Sequence, residues 1–495
     1  MRRNRSPNIA PIAVASLLVM WTALSCAGGQ QLTEERADWL RNTLFADHQH
    51  LWLRDPKLVE HKFEMMAGDP YRFLRGTLPQ YLRDVTQDGR YATDFASLAN
   101  SQILLMGDPH IENFGTFRST TGDVVVELND FDSAQYGPFH FDVWRFVSSV
   151  FVAHLYWSAP FLPQGPERLP DEESERFARL AATYYVDEIA RLQNSPANAV
   201  DAAYETENAW MTEVRARSLR RGNEQHPLQK WTQIGSDGRR FRKRSQDYES
   251  DLMASDDLLL EVSPDEDKEI RDAIQTYPLS IWSPESGMIT GIKDVARRYG
   301  AGISSIPLRR IYLLLEGDTA SADDDFILEM KEARDPFVLE NIPLTPRRGF
   351  RQNGERIVDS QRQLQCEPNL DPWLGYTQGE GVFRVRELSG FQDGVDIEKI
   401  RTAFQAGDIG VAELEGFVEE LARILARSHA RGDTLSGDSA LFSIADSVTK
   451  NPDAVIGEAT AFGVHYGERI LSDYALFRQL IDAHGAALGF PQLTP

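Results

Sequence analysis

The sequence predicts an α+β fold with a helix-rich part and a smaller antiparallel sheet. Helical periodicity covers most of the chain, and strand patterns are confined to two zones, residues 103–132 and 300–390. In both zones short apolar runs are separated by tight turns, which is typical of antiparallel strands. Because 42% of the 495 residues are hydrophobic, the chain can bury a large core, and we expect one two-lobed unit.

The first residues have the pattern of an export signal. Three arginines precede an apolar segment at residues 9–24, and small residues follow it. The segment is short for a permanent span, which requires about 20 residues, so residues 1–25 are predicted to be a signal peptide. Cys26 is placed to become a lipid-modified first residue, although Ala23 stands where lipoprotein signals usually have leucine. We expect an exported protein, periplasmic or anchored to the membrane through a lipid on Cys26, with ordinary cleavage as the alternative.

Acidic and amide residues follow the first predicted strands closely. A short apolar run predicts a buried strand that ends just before Asp108, and Asn113 lies on the next loop. A predicted hairpin over residues 115–128 then returns the chain to Asp130 and Asp132. We therefore expect these four side chains to converge.

Such a set of oxygen donors suits Mg²⁺, which prefers carboxylate and amide oxygens and is completed by substrate phosphates. Phosphoryl transfer requires an acid at the attacking hydroxyl and a metal on the phosphates. Asp108 is the candidate for the catalytic carboxylate at the attacking hydroxyl, and Asn113 and Asp130 are the candidates for the metal ligands. Asp132 either adds a ligand or only caps the loop that follows.

The spacing of Asp108, Asn113 and Asp130 around a hairpin resembles the catalytic loop and metal-binding aspartate of the kinase superfamily, closest to aminoglycoside phosphotransferases. The sequence is also similar to a large bacterial family known as domain of unknown function 2252. The segments that carry this second resemblance are residues 70–76, 107–145, 330–333, 356–362, 385–388 and 425–430. The family names no reaction, but the resemblance to the kinase superfamily implies an Mg²⁺-dependent phosphotransferase that uses ATP or another phosphorylated donor and a small-molecule substrate.

In the kinase superfamily a glycine-rich loop and a lysine precede the catalytic block, but here the similar pattern follows it. Gly300 and Gly302 come before a strand at 310–315, and a second strand at 326–331 carries Lys331. The resemblance therefore implies that Gly300, Gly302 and Lys331 bind the donor. It implies a circularly permuted protein-kinase-like fold with a helix-rich large lobe and a small antiparallel-sheet lobe.

Four parts follow from this interpretation. They are the signal peptide at 1–25, a catalytic helix-rich part at 26–280 with a polar insertion at about 194–278, a small strand-rich part at 281–390, and a helical segment at 391–495 that completes the large lobe. Two contacts are expected within them. Asp142 and Arg145 are expected to pair beside the catalytic turn, and the partner of Lys331 is left open between Glu340, Glu355 and a glutamine in 359–365.

Composition argues against nucleic acid as a partner. The chain carries 52 Lys and Arg against 75 Asp and Glu, a net charge of −23, which a phosphate backbone would repel.

Two alternatives to a phosphotransferase remain. His110 lies two residues after Asp108, and an Asp-x-His pair also occurs in metal-dependent phosphoesterases, where both side chains bind metal. The further strings by which those enzymes resemble one another, Gly-Asp-x-x-Asp and Gly-Asn-His, do not occur in the chain. The third hypothesis follows from export, because ATP is not maintained outside the cytoplasm: a membrane-tethered pseudokinase that binds a nucleotide or phosphate without turnover.

Overall fold

A computed structural model describes most of the chain. The described residues are 12–86, 93, 95, 96, 101–119, 122–158, 161, 162, 165, 166, 170–195, 198–205, 207–245, 258–281, 291–300, 302, 303, 306, 308–319, 321–337, 350–366, 371–379 and 381–491. Side chains of the first helix are described from Thr33 onwards. The predicted signal peptide and Cys26 therefore lie outside the described side chains. In the described residues, no helix has both the length and the apolar character needed to cross a membrane.

Helices make up most of the described chain. They are α1 Ile12–Arg54, α2 Pro56–Met66, α3 Pro70–Gly76, α4 Leu78–Thr86, α5 Phe139–Ser158, α6 Glu172–Gln193, α7 Asn198–Asp201, α8 Ala209–Asn223, α9 His226–Trp231, α10 Pro264–Ile274, α11 Asn353–Leu364, α12 Ile397–Ala406, α13 Val411–Arg431, α14 Ala440–Val448 and α15 Pro452–His484.

The strands are short and pair antiparallel. They are β1 Gln102–Leu105, β2 Phe114–Arg118, β3 Val124–Leu128, β4 Gln135–Pro138, β5 Phe161–Leu162, β6 Gly165–Pro166, β7 Thr232–Gly235, β8 Gly238–Phe241, β9 Leu258–Leu260, β10 Ile292–Tyr299, β11 Arg310–Leu315, β12 Phe326–Glu332, β13 Gly375–Tyr376, β14 Phe383–Glu387 and β15 Asp393–Gly394. The largest sheet has the order β13-β14-β12-β11-β10-β9. The prediction of an α+β fold with a small antiparallel sheet is confirmed.

Several helices begin where the sequence offers a side-chain cap. The carboxylates of Asp55 and Asp69 accept hydrogen bonds from amides of the first turns of α2 and α3, and a proline follows each of them. Asp171 and Ser263 cap α6 and α10 in the same way. Such caps satisfy amides that have no partner inside the helix, and proline at the first helical position has a φ suited to helix.

Helix α5 lies at the centre of the helical part, packed against α6 and α15. Nearly all of its side chains are buried, as expected for a helix that is apolar on every side. Gly467 of α15 faces Phe151 of α5 so closely that a Cβ atom on it would lie 2.2 Å from the phenylalanine ring. Glycine at this position therefore permits the close approach of the two helices.

The six-stranded sheet is covered on both faces. Ile274 and Tyr277 pack on one face, whereas Trp231 and Phe241 pack on the other. Its edge strand β9 pairs with β10 and comes from the segment predicted as a polar insertion, so the sheet extends into that segment.

Two smaller strand pairings bring together the loops that carry Asp108 and Asp130. Strand β1 pairs with β4, and the hairpin of β2 and β3 runs in the register Phe114↔Leu128. The amide of Asn129 also donates to the carbonyl of Asn113 at 3.0 Å. The loops that follow β1 and β3 therefore meet at one end of the hairpin.

Candidate functional site

The turn after β1 is held in place by Asp142, near the start of α5. The amides of Met106 and Gly107 donate to the Asp142 carboxylate at 2.9 and 3.2 Å. Gly107 has a φ of +94°, and a Cβ atom on it would lie 2.2 Å from the carbonyl oxygen of Ser133. Only glycine tolerates this conformation and this contact. The turn therefore brings Asp108 next to the loop that carries Asp130 and Asp132.

Asp108 is paired with Arg145. Asp108 is 6% exposed, and Arg145 Nε donates to its Oδ1 at 2.9 Å. The expected pair of Asp142 with Arg145 is wrong, because Asp142 holds backbone amides whereas Arg145 holds Asp108. Burial raises the pKa of Asp108, although Arg145 acts in the opposite direction. The other oxygen, Oδ2, has His110 Nε2 at 3.8 Å.

Asn113 ends a short 3₁₀ turn between the strands. Its side-chain nitrogen donates to the carbonyl oxygen of Asp108 at 2.8 Å. This contact fixes which way the amide faces, since the nitrogen is used and the amide oxygen remains as an acceptor. Asn113 and Asp108 are therefore positioned by each other.

Asp130 and Asp132 share a loop and one cation. The amide of Asp132 donates to Asp130 Oδ1 at 3.2 Å. Lys331 Nζ lies 3.3 Å from Asp130 Oδ2 and also contacts Asp132 Oδ2. Burial acts to raise the pKa of Asp130, but Lys331 and Arg384 outweigh it and lower the pKa below its usual value.

The partners of Lys331 are thus Asp130 and Asp132, in the loop after β3. Of the three candidates from the sequence, Glu355 binds Arg351, and Gln365 donates to the carbonyl of Leu128. Glu340 lies outside the described residues. The sequence-based expectation was a partner outside this loop, but Asp130 and Asp132 supply the negative charge that compensates Lys331.

The four residues predicted to form a site line one cavity. These are Asp108, Asn113, Asp130 and Asp132, and we call the space between them the acidic cavity. Arg75, which forms an ion pair with Glu112, lines it as well. So do Lys62 and Arg334, which the sequence analysis did not single out. The signal for them was weak, because isolated basic residues carry no chemical pattern.

The oxygens of the acidic cavity suit a hard cation. Asp132 Oδ1 is buried and has no hydrogen-bond partner, although such atoms are nearly always satisfied. Asp130 and Asn113 supply further oxygens of the types that Mg²⁺ prefers. Within the described residues, no group of three or more His, Cys, Asp or Glu side chains surrounds a point where a metal ion could sit. A cation here would therefore take part of its coordination from water or a bound phosphate.

The two glycines predicted to bind the donor lie at the end of β10. Gly300 and Gly302 have φ values of +77° and +81°, which suit glycine. Arg298 pairs with Arg310 and Arg310 with Lys331, so the glycines lie at the same end of the sheet as Lys331, two strands away. Neither glycine lines a cavity that Asp130 lines.

Asp130 also borders a second cavity of about 320 Å³, beneath the six-stranded sheet. We call it the arginine cavity. Its roof is formed by six side chains on three neighbouring strands, which are Arg310, Tyr312, Glu329, Lys331, Arg384 and Arg386. Except for Lys331, sequence reasoning missed this set. Alternation along β12 and β14 was the available signal, because residues two apart share a face.

His110 is fully buried and touches the edge of Tyr71. Burial lowers the pKa of His110 well below its usual value, so the imidazole is neutral, and its Nδ1 has no hydrogen-bond partner.

Comparison with known proteins identifies a family for this chain but no individual relative. A family model described as "Uncharacterized protein conserved in bacteria (DUF2252)" matches residues 54–480. No curated protein and no solved structure matched the chain. The matched region spans most of the sequence and includes Asp108, Asn113, Asp130 and Lys331. The chain therefore belongs to the DUF2252 family of bacterial proteins.

Proposed function

We propose that the protein is an Mg²⁺-dependent phosphotransferase acting on a small molecule, with a circularly permuted kinase-like arrangement. One observation carries the proposal. Lys331 of the six-stranded sheet contacts Asp130, which borders the same cavity as Asp108 and Asn113. A phosphate-binding lysine, a metal-binding aspartate with an asparagine, and a catalytic aspartate are the parts that phosphoryl transfer requires.

Each residue has a defined role in this proposal. Lys331 binds a phosphate of the donor, and Asn113 and Asp130, with the free oxygen of Asp132, hold the cation. When bound, Mg²⁺ neutralises charge on the phosphates. The acceptor hydroxyl attacks phosphorus, its proton passes to Asp108 Oδ2, and the bond between phosphorus and the leaving oxygen breaks, leaving the electron pair on the departing group.

The environment of Asp108 supports its role as a base. Arg145 occupies Oδ1, so the carboxylate is held in one orientation while Oδ2 remains for the proton. Burial raises the pKa of Asp108, and a carboxylate with a raised pKa accepts a proton more readily.

The two alternatives differ in their support. A phosphoesterase with a cluster of metal-binding histidines and carboxylates has no support from the described residues, where no such cluster occurs. A non-catalytic pseudokinase would use the same phosphate-binding contacts, so it differs only in the absence of turnover. Export, proposed from residues 1–25, favours a phosphorylated donor other than cytoplasmic ATP.

The proposal can be tested by calorimetry on the purified protein with ATP, with and without Mg²⁺. We expect binding that requires Mg²⁺ and that Asp130→Asn weakens at least about tenfold. Asp187→Asn, which removes the same charge from the exposed side of α6, is the matched control. Binding that is indifferent to Mg²⁺ and to Asp130→Asn would exclude the metal site.

Turnover is measured separately, with a pooled set of hydroxyl-bearing metabolites and a radiolabelled donor. Label transferred by the wild type but not by Asp108→Asn supports phosphotransfer. Mg²⁺-dependent binding without transfer supports the pseudokinase instead.

A further inference from the structure

The arginine cavity is roofed by an unusual concentration of cations. In the register of the sheet, Arg310 lies opposite Lys331, and Lys331 lies opposite Arg384. Like charges directly opposite each other destabilise a sheet. Three cations in one row across neighbouring strands are therefore unexpected unless anions compensate them.

Asp130 and Asp132 compensate Lys331, but Glu329 compensates the neighbouring arginines only in part. Arg384 Nη2 donates to Glu329 at 2.9 Å and Arg386 Nε at 3.2 Å, while Arg310 Nε lies 3.7 Å from the same carboxylate. Three guanidinium groups thus share one carboxylate. The surplus positive charge is notable in a chain whose net charge is −23.

One buried donor in this cavity also lacks an acceptor. Arg384 is 2% exposed, and its Nε has no hydrogen-bond partner. Leaving a buried donor without a partner costs about 1–3 kcal/mol, and more when the group is charged. The guanidinium groups that reach the cavity are those of Arg310 and Arg386, whose side chains are 19% and 17% exposed. They suit an oxyanion because guanidinium forks match phosphate geometry.

The lining also restricts what else binds there. Pockets for drug-sized ligands are lined predominantly by hydrophobic and aromatic side chains. Of the six side chains in the roof, Tyr312 alone is uncharged, and the other walls add only two large apolar side chains, Phe117 and Leu388. The volume of about 320 Å³ lies at the lower end of the roughly 300–1,000 Å³ of ligand pockets.

We infer that the arginine cavity binds a chain of two or more phosphates and makes no specific contact with a nucleobase. This inference rests on the proposed function for the role of the ligand as donor, since Asp130 and Lys331 border the cavity. The shared chemistry is the oligophosphate, which a free polyphosphate or a nucleoside triphosphate could present.

Calorimetry on the full purified protein separates these sources. The probes are sodium tripolyphosphate, ATP and adenosine, each with and without Mg²⁺. We expect tripolyphosphate and ATP to bind with affinities within about threefold of each other, and adenosine not to bind. ATP bound more than about tenfold more tightly than tripolyphosphate, or binding of adenosine, overturns the inference because the base then contributes.

Arg386→Gln is the variant of choice because its side chain is 17% exposed, whereas that of Arg384 is fully enclosed against Glu329. We expect it to weaken tripolyphosphate binding at least about tenfold with a preserved circular dichroism spectrum. Arg179→Gln, on the exposed side of α6, removes the same charge and should leave binding unchanged. Equal affinities in the two variants overturn the inference.

The outcomes distinguish this inference from the proposed function. Tripolyphosphate binding that Arg386→Gln abolishes, without any transfer of label to an acceptor, leaves the anion site intact and removes phosphotransfer. Mg²⁺-dependent transfer from ATP, together with binding that requires the nucleobase, supports phosphotransfer and removes the inference of an oligophosphate site.

Discussion

Lys331 Nζ lies 3.3 Å from Asp130 Oδ2, although 201 positions separate the two residues in the chain. The contact joins β12 of the six-stranded sheet to the loop after β3. The Lys331 side chain is 3% exposed, so its ammonium group is compensated mainly by Asp130 and Asp132. The stability of the chain and the order of the acidic cavity therefore depend on the same buried group.

The first prediction concerns that ammonium group. Lys331→Met leaves the buried carboxylate of Asp132 and the partly buried carboxylate of Asp130 without their cation, and breaking a buried ion pair on one side costs about 3–5 kcal/mol. We expect the free energy of unfolding at pH 7, measured by urea denaturation, to fall by that amount. Lys450→Met, which breaks an exposed pair with Asp446, should change it by less than about 0.5 kcal/mol.

The loss should also depend on pH. The pKa of Asp130 in the folded protein is lowered, so Asp130 contributes stability above its unfolded pKa of about 3.9 that is lost as the pH falls through the lowered pKa. Without Lys331, burial favours the protonated acid. The difference between wild type and Lys331→Met should therefore shrink as the pH falls below about 4, and a constant difference there would contradict the assignment.

Local patterns predicted the elements better than the contacts between them. The apolar run of β11 and the alternation of β12 required only neighbouring residues, so the strand at 310–315 was predicted with the bounds that the structure has. The partner of Arg145 was not predictable in this way, because Asp108 and Asp142 were both available. The choice depends on how α5 packs under the turn, which is a tertiary property.

The row formed by Arg310, Lys331 and Arg384 across the sheet is a second arrangement that local sequence patterns do not predict. Spacing of two along β14 places Arg384 and Arg386 on one face, but their position beside Lys331 depends on the register between β12 and β14. Register is set by the burial of the whole sheet. The arginine cavity therefore became visible only when the strands were aligned.

A second prediction concerns Glu387, at the end of β14. Burial and nearby Asp371 raise the pKa of Glu387 to about 7, and burial raises the pKa of Asp371 to about 6. Between the unfolded pKa of about 4.3 and about 7, the unfolded chain releases the proton of Glu387 while the folded chain retains it. Stability is therefore lost as the pH rises through this window.

Glu387→Gln removes that loss because the amide does not ionise. We expect the urea midpoint of the variant, relative to wild type, to rise between pH 4.5 and pH 8. Glu468→Gln, at an exposed position of α15, is the control, and the quantity to compare is the difference between the two variants. If that difference is the same at both pH values, Glu387 does not titrate in this window.

The third prediction tests the approach of α15 to α5. Gly467→Ala places a Cβ atom 2.2 Å from the Phe151 ring, and overpacking of this kind costs about 1–3 kcal/mol. Gly457 lies in the same helix, and a Cβ atom on it would have no neighbour within 4 Å. Gly457→Ala should therefore stabilise the protein by about 0.5–1 kcal/mol through helix propensity. Thermal midpoints that move in the same direction for both variants would show that the helices do not pack this closely.

The last prediction links α11 to the acidic cavity through Arg356. Arg356 is 4% exposed, and its guanidinium donates to the carbonyl oxygens of Asp132, Ala134 and Arg334. Because three carbonyls in two loops share this one group, Arg356→Met should loosen the loop that carries Asp132. Arg356→Lys should not restore it, since an ammonium group lacks the planar fork that reaches several acceptors.

The expected result is a fall in thermal midpoint together with Mg²⁺-dependent ATP binding that is at least about tenfold weaker, measured well below the midpoint of each variant. The control is Arg351→Met, whose side chain is 86% exposed and belongs to the residues just before α11. If Arg356 only supports the fold, its replacement lowers the thermal midpoint and leaves the affinity of the folded protein unchanged. The two readouts therefore separate positioning of Asp132 from general support of the fold.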